Sequence, residues 1–197
     1  MVDIESNLIK FLEKQKSNLD GIIDDTNPIK DVIHKLLDAR DNKRKIYIMG
    51  NGGSGSTASH FCSDLLKTAI VENKNRFQAS SLTDNIPAIL SWANDVSYDE
   101  IFVEQLKNSL TKNEILIGFS GSGNSKNIIN ALEYAKQTGA TCIGFTGNDG
   151  GRMKEFCDVC IKIPSDDMLT IESQHLLICH CIINLIRSLD TPMFEYK

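Results

Sequence analysis

Five short apolar runs recur along the chain, at Lys45–Gly50, Phe77–Leu82, Glu114–Ser120, Thr141–Thr146 and Val159–Pro164, with helical spacing between them. This alternation constrains the fold more than any other feature. Parallel strands cannot be joined by a tight hairpin, so a strand–helix–strand rhythm is what a parallel sheet requires. The runs are apolar on consecutive residues, the pattern of strands covered by helices on both faces. Helical candidates fall at about 55–70, 85–92, 99–110, 124–138 and 151–156, with a longer one at about 168–189.

Two further helical patterns open the chain. Ile4, Leu8, Phe11, Leu12 and Leu19 mark the first; Ile29, Val32, Ile33, Leu36 and Leu37, after Asn27-Pro28, mark the second. The expected organisation is a single α/β domain over residues 1–197, with N-terminal helices over 1–42 and an α/β core over 43–197. A helical arm of this kind is a common means of self-association.

Partners are bounded by charge. The net charge of -5 gives no electrostatic case for nucleic acid or an anionic membrane, so a phosphate ester would need a local site. No stretch approaches the ~20 consecutive apolar residues of a membrane span. The N-terminus MVDIESNLIKFLEKQK lacks the apolar core of a signal peptide. These features set the expectation of a cytoplasmic protein with reduced cysteines. Cys157-x-x-Cys160 has no second pair at zinc-ribbon spacing, and all six cysteines read as small core residues.

Two loops at strand ends are built for an anion. The first is Gly50-Asn51-Gly52-Gly53-Ser54, the second Ser120-Gly121-Ser122-Gly123-Asn124-Ser125. Glycines let the backbone approach a ligand, while serine hydroxyls and helix N-terminal amides supply donors. Neither loop is a P-loop or a G-x-G-x-x-G turn, so no nucleotide is expected and a sugar phosphate fits better. A third loop, Thr146–Gly151, reads as a tight turn.

His60 and Asp64 stand four apart on one helix face, immediately after the first loop. The last helix carries Glu172 and His180 eight apart, about two turns and about 80° around the axis. His175 competes with His180 or is a hydrogen-bonded structural histidine. Together His60, Asp64, Glu172 and His180 form a set suited to a divalent ion such as zinc, and to general base and acid work.

In these motifs the chain resembles the SIS (sugar isomerase) domain family, and within it the phosphoheptose isomerases. The resemblance rests on Gly50–Ser54, His60-Phe61, Ala93-Asn94-Asp95, Ser120–Ser125, Gly147–Gly151, Ile163-Pro164 and the Glu172–His180 helix. It implies a five-stranded parallel sheet flanked by helices, a flavodoxin-like three-layer sandwich, assembled as a homotetramer with sites between subunits. It implies interconversion of sedoheptulose 7-phosphate and D-glycero-D-manno-heptose 7-phosphate, for nucleotide-activated heptose. By the same resemblance Ser120, Ser122 and Ser125 bind phosphate. Asn51, Gly52, Gly53, Ser54, Asn94, Asp95, Gly121 and Glu172 contact substrate. His60, Asp64, Glu172 and His180 hold zinc, and Asp64 and His180 form the acid–base pair.

Three positions depart from the family's usual residues: Asp64 replaces Glu, Glu172 replaces Gln and Gly121 replaces Thr. The shorter Asp64 withdraws its carboxylate by roughly 1 Å unless the helix shifts. Two alternatives stand beside the isomerase: a non-catalytic SIS module of the DnaA initiator-associating type, and an isomerase or sensor of another phosphosugar. Titratable residues at 64 and 180 favour the enzyme.

Overall fold

The computed structural model describes residues 3–194. Two helices, α1 (Ile4–Asp24) and α2 (Asn27–Asp41), lead into strand β1 (Lys45–Gly50). Then follow α3 (Gly52–Ser63), β2 (Gln78–Ser81), α4 (Ile86–Asp95), α5 (Val103–Lys107), β3 (Ile115–Ser120), α6 (Lys126–Thr138), β4 (Thr141–Gly147), β5 (Val159–Ile163) and α7 (Met168–Ser188). All five expected strands are present within a residue or two of their apolar runs. The expected helix at 99–110 is divided into a short 3-10 turn at Tyr98–Glu100 and α5. That at 151–156 is a 3-10 turn at Arg152–Glu155.

The sheet is wholly parallel, in the order β2-β1-β3-β4-β5. β3, in the centre, is buried along its whole length, whereas edge strand β2 alternates. Two cores cover the faces. On one, α2, α3 and α7 bury Val32, Leu36, Phe61, Ile178 and Ile182 against Ile48, Ile117 and Phe145. On the other, α5 and α6 bury Leu106, Ile128 and Leu132 against Met49, Leu116 and Cys142. Fully burying a side chain of this size is worth about 1.5–3 kcal/mol. α7 is apolar and long enough to cross a membrane by composition, but Ile171, Ile178, Ile182 and Ile186 are buried within the protein.

This topology fixes where a ligand can bind. The helix after β1 lies on one face and that after β3 on the other, although the two strands are neighbours. Their outgoing loops therefore diverge, leaving a crevice at the carboxyl ends of β1 and β3. Both Gly- and Ser-rich loops are there. The third loop packs against the second, with Gly147 N–H donating to the Gly121 carbonyl at 3.0 Å. A Cβ on Gly123, whose φ is +64°, would fall 2.2 Å from the Gly150 carbonyl oxygen, so the two loops pack at backbone contact. The tight-turn reading of Thr146–Gly151 fits this role, with Asn148, Gly150 and Gly151 all at positive φ.

Candidate active site

The first loop is shorter than its glycines suggest, because Gly52, Gly53 and Ser54 already belong to α3. Asn51 occupies the N-cap position without capping. Its side chain exchanges hydrogen bonds with Asn127, at 3.0 and 2.8 Å, and accepts a third from the Tyr98 hydroxyl at 3.0 Å. The opening amides of α3 are left facing the crevice, as the first turn of any helix is without an internal partner. Ser125 likewise precedes α6 without capping it; its hydroxyl accepts from Ser120 at 3.2 Å. Two helix N-termini, each favouring an anion, thus converge on a cavity of about 290 Å³. Asn51, Gly52, Gly53, Ser54, Ser120, Gly121, Ser122, Ser125 and Glu172 all line it.

Met168 and Phe119 complete the lining, and the sequence pattern singled out neither. Met168 accounts for one departure from the family's usual residues. A Cβ on Gly121 would fall 2.3 Å from the Met168 sulfur, so the thioether fills the space a threonine would take. Asn127 and Tyr98, which grip Asn51, carry no motif by which to be found. Asn94 and Asp95 are not among the cavity's lining residues. They end an exposed helix with no buried residue, where Asn94 donates to Asp95 at 2.7 Å.

Further along α3, His60 and Asp64 share a face as expected, and His180 of α7 meets them. The His60 and His180 Nε2 atoms are 3.2 Å apart, and Asp64 Oδ2 is 3.5 Å from the first and 3.8 Å from the second. Asp64 Oδ1 accepts from the Thr68 hydroxyl at 2.9 Å, a partner whose i+4 spacing was visible in the sequence. Three donors held about 2.0–2.1 Å from a tetrahedral zinc lie roughly 3.3 Å from one another, close to the separations found here. The shorter Asp64 still reaches both imidazoles. Beginning at this residue the helix widens into a π-turn, Asp64–Thr68, closed by Ala69 N–H donating to the Asp64 carbonyl at 2.8 Å. Such turns occur preferentially at functional sites.

Glu172 is not part of this cluster. It lies eight residues, or about 12 Å, before His180 along α7. There its carboxylate fills the space over Gly53, where a Cβ would fall 2.3 Å from Oε2. Within the single chain three of the four expected ligands, His60, Asp64 and His180, come together, while Glu172 stands at the loop end. α3 and α7 touch at Gly53 with Glu172 and again at His60 with His180, so they run side by side in the same direction. Loop cavity and imidazole cluster thus lie at two successive points along the α3–α7 contact.

His175 is the structural histidine. It is fully buried, its Nε2–H donates to the Thr146 carbonyl at 3.2 Å, and desolvation lowers its pKa to about 4. The core reading holds for Cys62, Cys142 and Cys179; Cys181 is exposed, because its position on α7 faces away from the sheet, and Cys157 and Cys160 are partly exposed.

The SIS domain family model matches residues 10–147, more than half of the chain. The chain belongs to the SIS domain family. Among curated relatives, the phosphoheptose isomerase of Helicobacter pylori (strain ATCC 700392 / 26695) is 37% identical over 94% of this chain and 96% of its own length. That of Aliarcobacter butzleri (strain RM4018) is 36% identical over 93% of this chain and 97% of its own. Among solved structures, the phosphoheptose isomerase GmhA from Neisseria gonorrhoeae superposes with a TM-score of 0.86. It is 25% identical and covers 94% of this chain and 99% of that one. The three-layer fold expected of an SIS domain, a five-stranded parallel sheet flanked by helices, is the fold observed.

Proposed function

We propose that this SIS-family chain is an aldose–ketose isomerase interconverting sedoheptulose 7-phosphate and D-glycero-D-manno-heptose 7-phosphate, on the way to nucleotide-activated heptose. The observation that carries the reading is the placing, along α3 and α7, of a Gly- and Ser-lined cavity followed by a carboxylate–imidazole cluster. Seven residues separate Gly53 from His60 on α3, about 10 Å along the axis. That span suits an extended sugar phosphate whose phosphate is far from its carbonyl carbon. The near-full-length relatives named phosphoheptose isomerase support the same conclusion.

The chemistry follows from the residues. Ser120, Ser122, Ser125 and the amides opening α3 and α6 hold the phosphate, with Asn51, Gly52, Gly53 and Ser54 along the chain of the sugar. Glu172, beside Gly53, accepts hydrogen bonds from sugar hydroxyls. Starting from the ketose, Asp64 takes a proton from C1 while His180 gives one to the C2 oxygen, forming an enediol. Return of a proton to C2 and loss of the O1 proton yields the aldose. No nucleotide or redox partner is needed. His60, Asp64 and His180 would hold zinc or a similar divalent ion, which when bound supplies Lewis-acid stabilisation of the developing oxyanion. Chelation followed by dialysis is expected to abolish turnover and added zinc to restore it; turnover unaffected by thorough chelation would rule out a metal role.

Ser125→Ala is expected to raise KM for the sugar phosphate about tenfold with little change in kcat, the loss of one hydrogen bond to a charged group. Steady-state kinetics check it.

The same reading includes a homotetramer acting in the cytoplasm, with sites completed between subunits. Supporting it, α1 exposes Ile4, Leu8, Ile9 and Leu12, and α4 exposes Ile86 and Leu90, while Asn94 and Asp95 stand at the end of that second face. Leu8→Glu with Leu12→Glu is expected to shift the protein from tetramer to smaller species in light scattering after gel filtration.

A further inference from the structure

The isomerase chemistry makes no use of the partly exposed thiols of Cys157 and Cys160. They flank Asp158, which is pinned in place. Its carboxylate accepts from the Cys142 amide at 2.8 Å and from Lys136 at 3.0 Å, and its own amide donates to the Cys142 carbonyl at 2.8 Å. The two sulfurs turn to the same side, over Gly144 of β4, which is in register with Cys160. A Cβ placed on Gly144 would fall 2.6 Å from Cys157 Sγ and 3.5 Å from Cys160 Sγ. The missing side chain at 144 is what gives both sulfurs room.

The pair is electrically unequal. The neighbouring Cys157 sulfur, with Lys162 and Lys154 nearby, lowers the Cys160 pKa. The Cys160 sulfur beside it, with burial, holds Cys157 up. A lowered thiol beside a raised one is the arrangement of an attacking and a resolving cysteine.

The pair is also connected to the phosphate loop. Cys157 Sγ donates to the Met153 carbonyl at 3.2 Å. The Met153 amide in turn donates to the Gly123 carbonyl at 2.9 Å, within Ser120–Ser125. Met153 is fully buried, with its methyl beside the same Gly144 position.

We propose that Cys157 and Cys160 form a reversible dithiol–disulfide site that, when oxidised, loosens the phosphate loop. The oxidant is a small-molecule disulfide of the glutathione class. The Cys160 thiolate attacks one of its sulfurs and expels a thiolate, leaving a mixed disulfide. The Cys157 sulfur then attacks Cys160, expelling the second thiolate. Two electrons pass from the protein pair to the small disulfide, and the two thiol protons leave with its two thiols. Bonded to Cys160, Cys157 no longer has a proton to give the Met153 carbonyl, so the turn that holds Gly123 loses a hydrogen bond.

The disulfide itself is independent of the isomerase reading; its effect on the loop rests on that reading. The test treats the full chain with oxidised glutathione, alkylates the remaining thiols and maps peptides. The segment spanning 157–160 is expected to lose two hydrogens, to resist alkylation and to recover with dithiothreitol. Cys157→Ser should instead retain a glutathione adduct on Cys160. In the same samples KM for sedoheptulose 7-phosphate should rise several-fold for oxidised wild type, and not for Cys157→Ser with Cys160→Ser. Full alkylation of both thiols after oxidation would overturn the site. A clean disulfide with unchanged KM would overturn its link to the loop. Absence of turnover in the reduced protein would count against the isomerase, leaving the thiol result to be judged by mass alone.

Discussion

Asp64→Asn is expected to lower kcat by about 10²–10⁴-fold, the usual contribution of a positioned general base, with KM changed little. The amide is nearly isosteric with the carboxylate and can still accept from Thr68 at Oδ1, so the π-turn and helix are retained. It cannot take a proton from carbon. Nor does it bring the negative charge that makes Asp64, between His60 and His180, a good cation ligand. The purified variant should therefore carry much less metal than wild type. KM is spared in the proposed reading because the phosphate would be held at the loop end, about 10 Å away along α3. Steady-state kinetics, metal content by emission spectroscopy and a thermal melt distinguish these effects. Wild-type turnover in Asp64→Asn would remove the residue from the mechanism.

The second large effect concerns stability. His175 is buried without charge, with its pKa lowered by desolvation from 6.5 to about 4. Below pH 6.5 the unfolded chain gains a proton there that the folded chain does not bind. Stability contributed by the neutral histidine is thus fully present above pH 6.5, and is lost progressively as pH falls towards 4. By linkage the loss amounts to about 3 kcal/mol, a large fraction of a typical domain's stability. The exposed carboxylates Asp149 and Asp167, whose pKa values are lowered by local hydrogen bonds, add little because water screens them. Melting temperatures of wild type between pH 7 and pH 4.5 should fall steeply, and those of His175→Gln should fall much less. Parallel slopes for the two proteins would contradict the assignment.

Much of this molecule was legible in its sequence, for identifiable reasons. The strands were found because parallel strands covered on both faces must be apolar throughout, and Phe119 or Ile117 leave no ambiguity. The two Gly- and Ser-rich loops that line the cavity were found because serines and glycines at a strand end have few other uses. His60 and Asp64 were found because the helix period puts them on one face. The failures have causes too. Glu172 was grouped with His180, but within one chain eight helical residues carry it to the loop end of α7. Met168, Asn127 and Tyr98 take part through tertiary contacts with Gly121 and Asn51, which no local pattern encodes. The break in the helix expected at 99–110 and the π-turn at Asp64 are local departures imposed by packing. Asn94 and Asp95, exposed at the end of α4, have a place in the site only if a neighbouring subunit supplies the rest, which a single chain's sequence does not state.

The central claim is that the site from Gly53 to His180 isomerises a phosphorylated seven-carbon ketose. Incubating wild-type protein and zinc with sedoheptulose 7-phosphate in deuterated buffer, followed by proton nuclear magnetic resonance, tests it most directly. The heptose 7-phosphate aldose is expected to appear with deuterium at C2 from solvent exchange on the enediol, and no such signals with Asp64→Asn. An unchanged ketose spectrum, with protein shown by the same method to bind the sugar phosphate, would contradict it and leave a binding module in the isomerase's place.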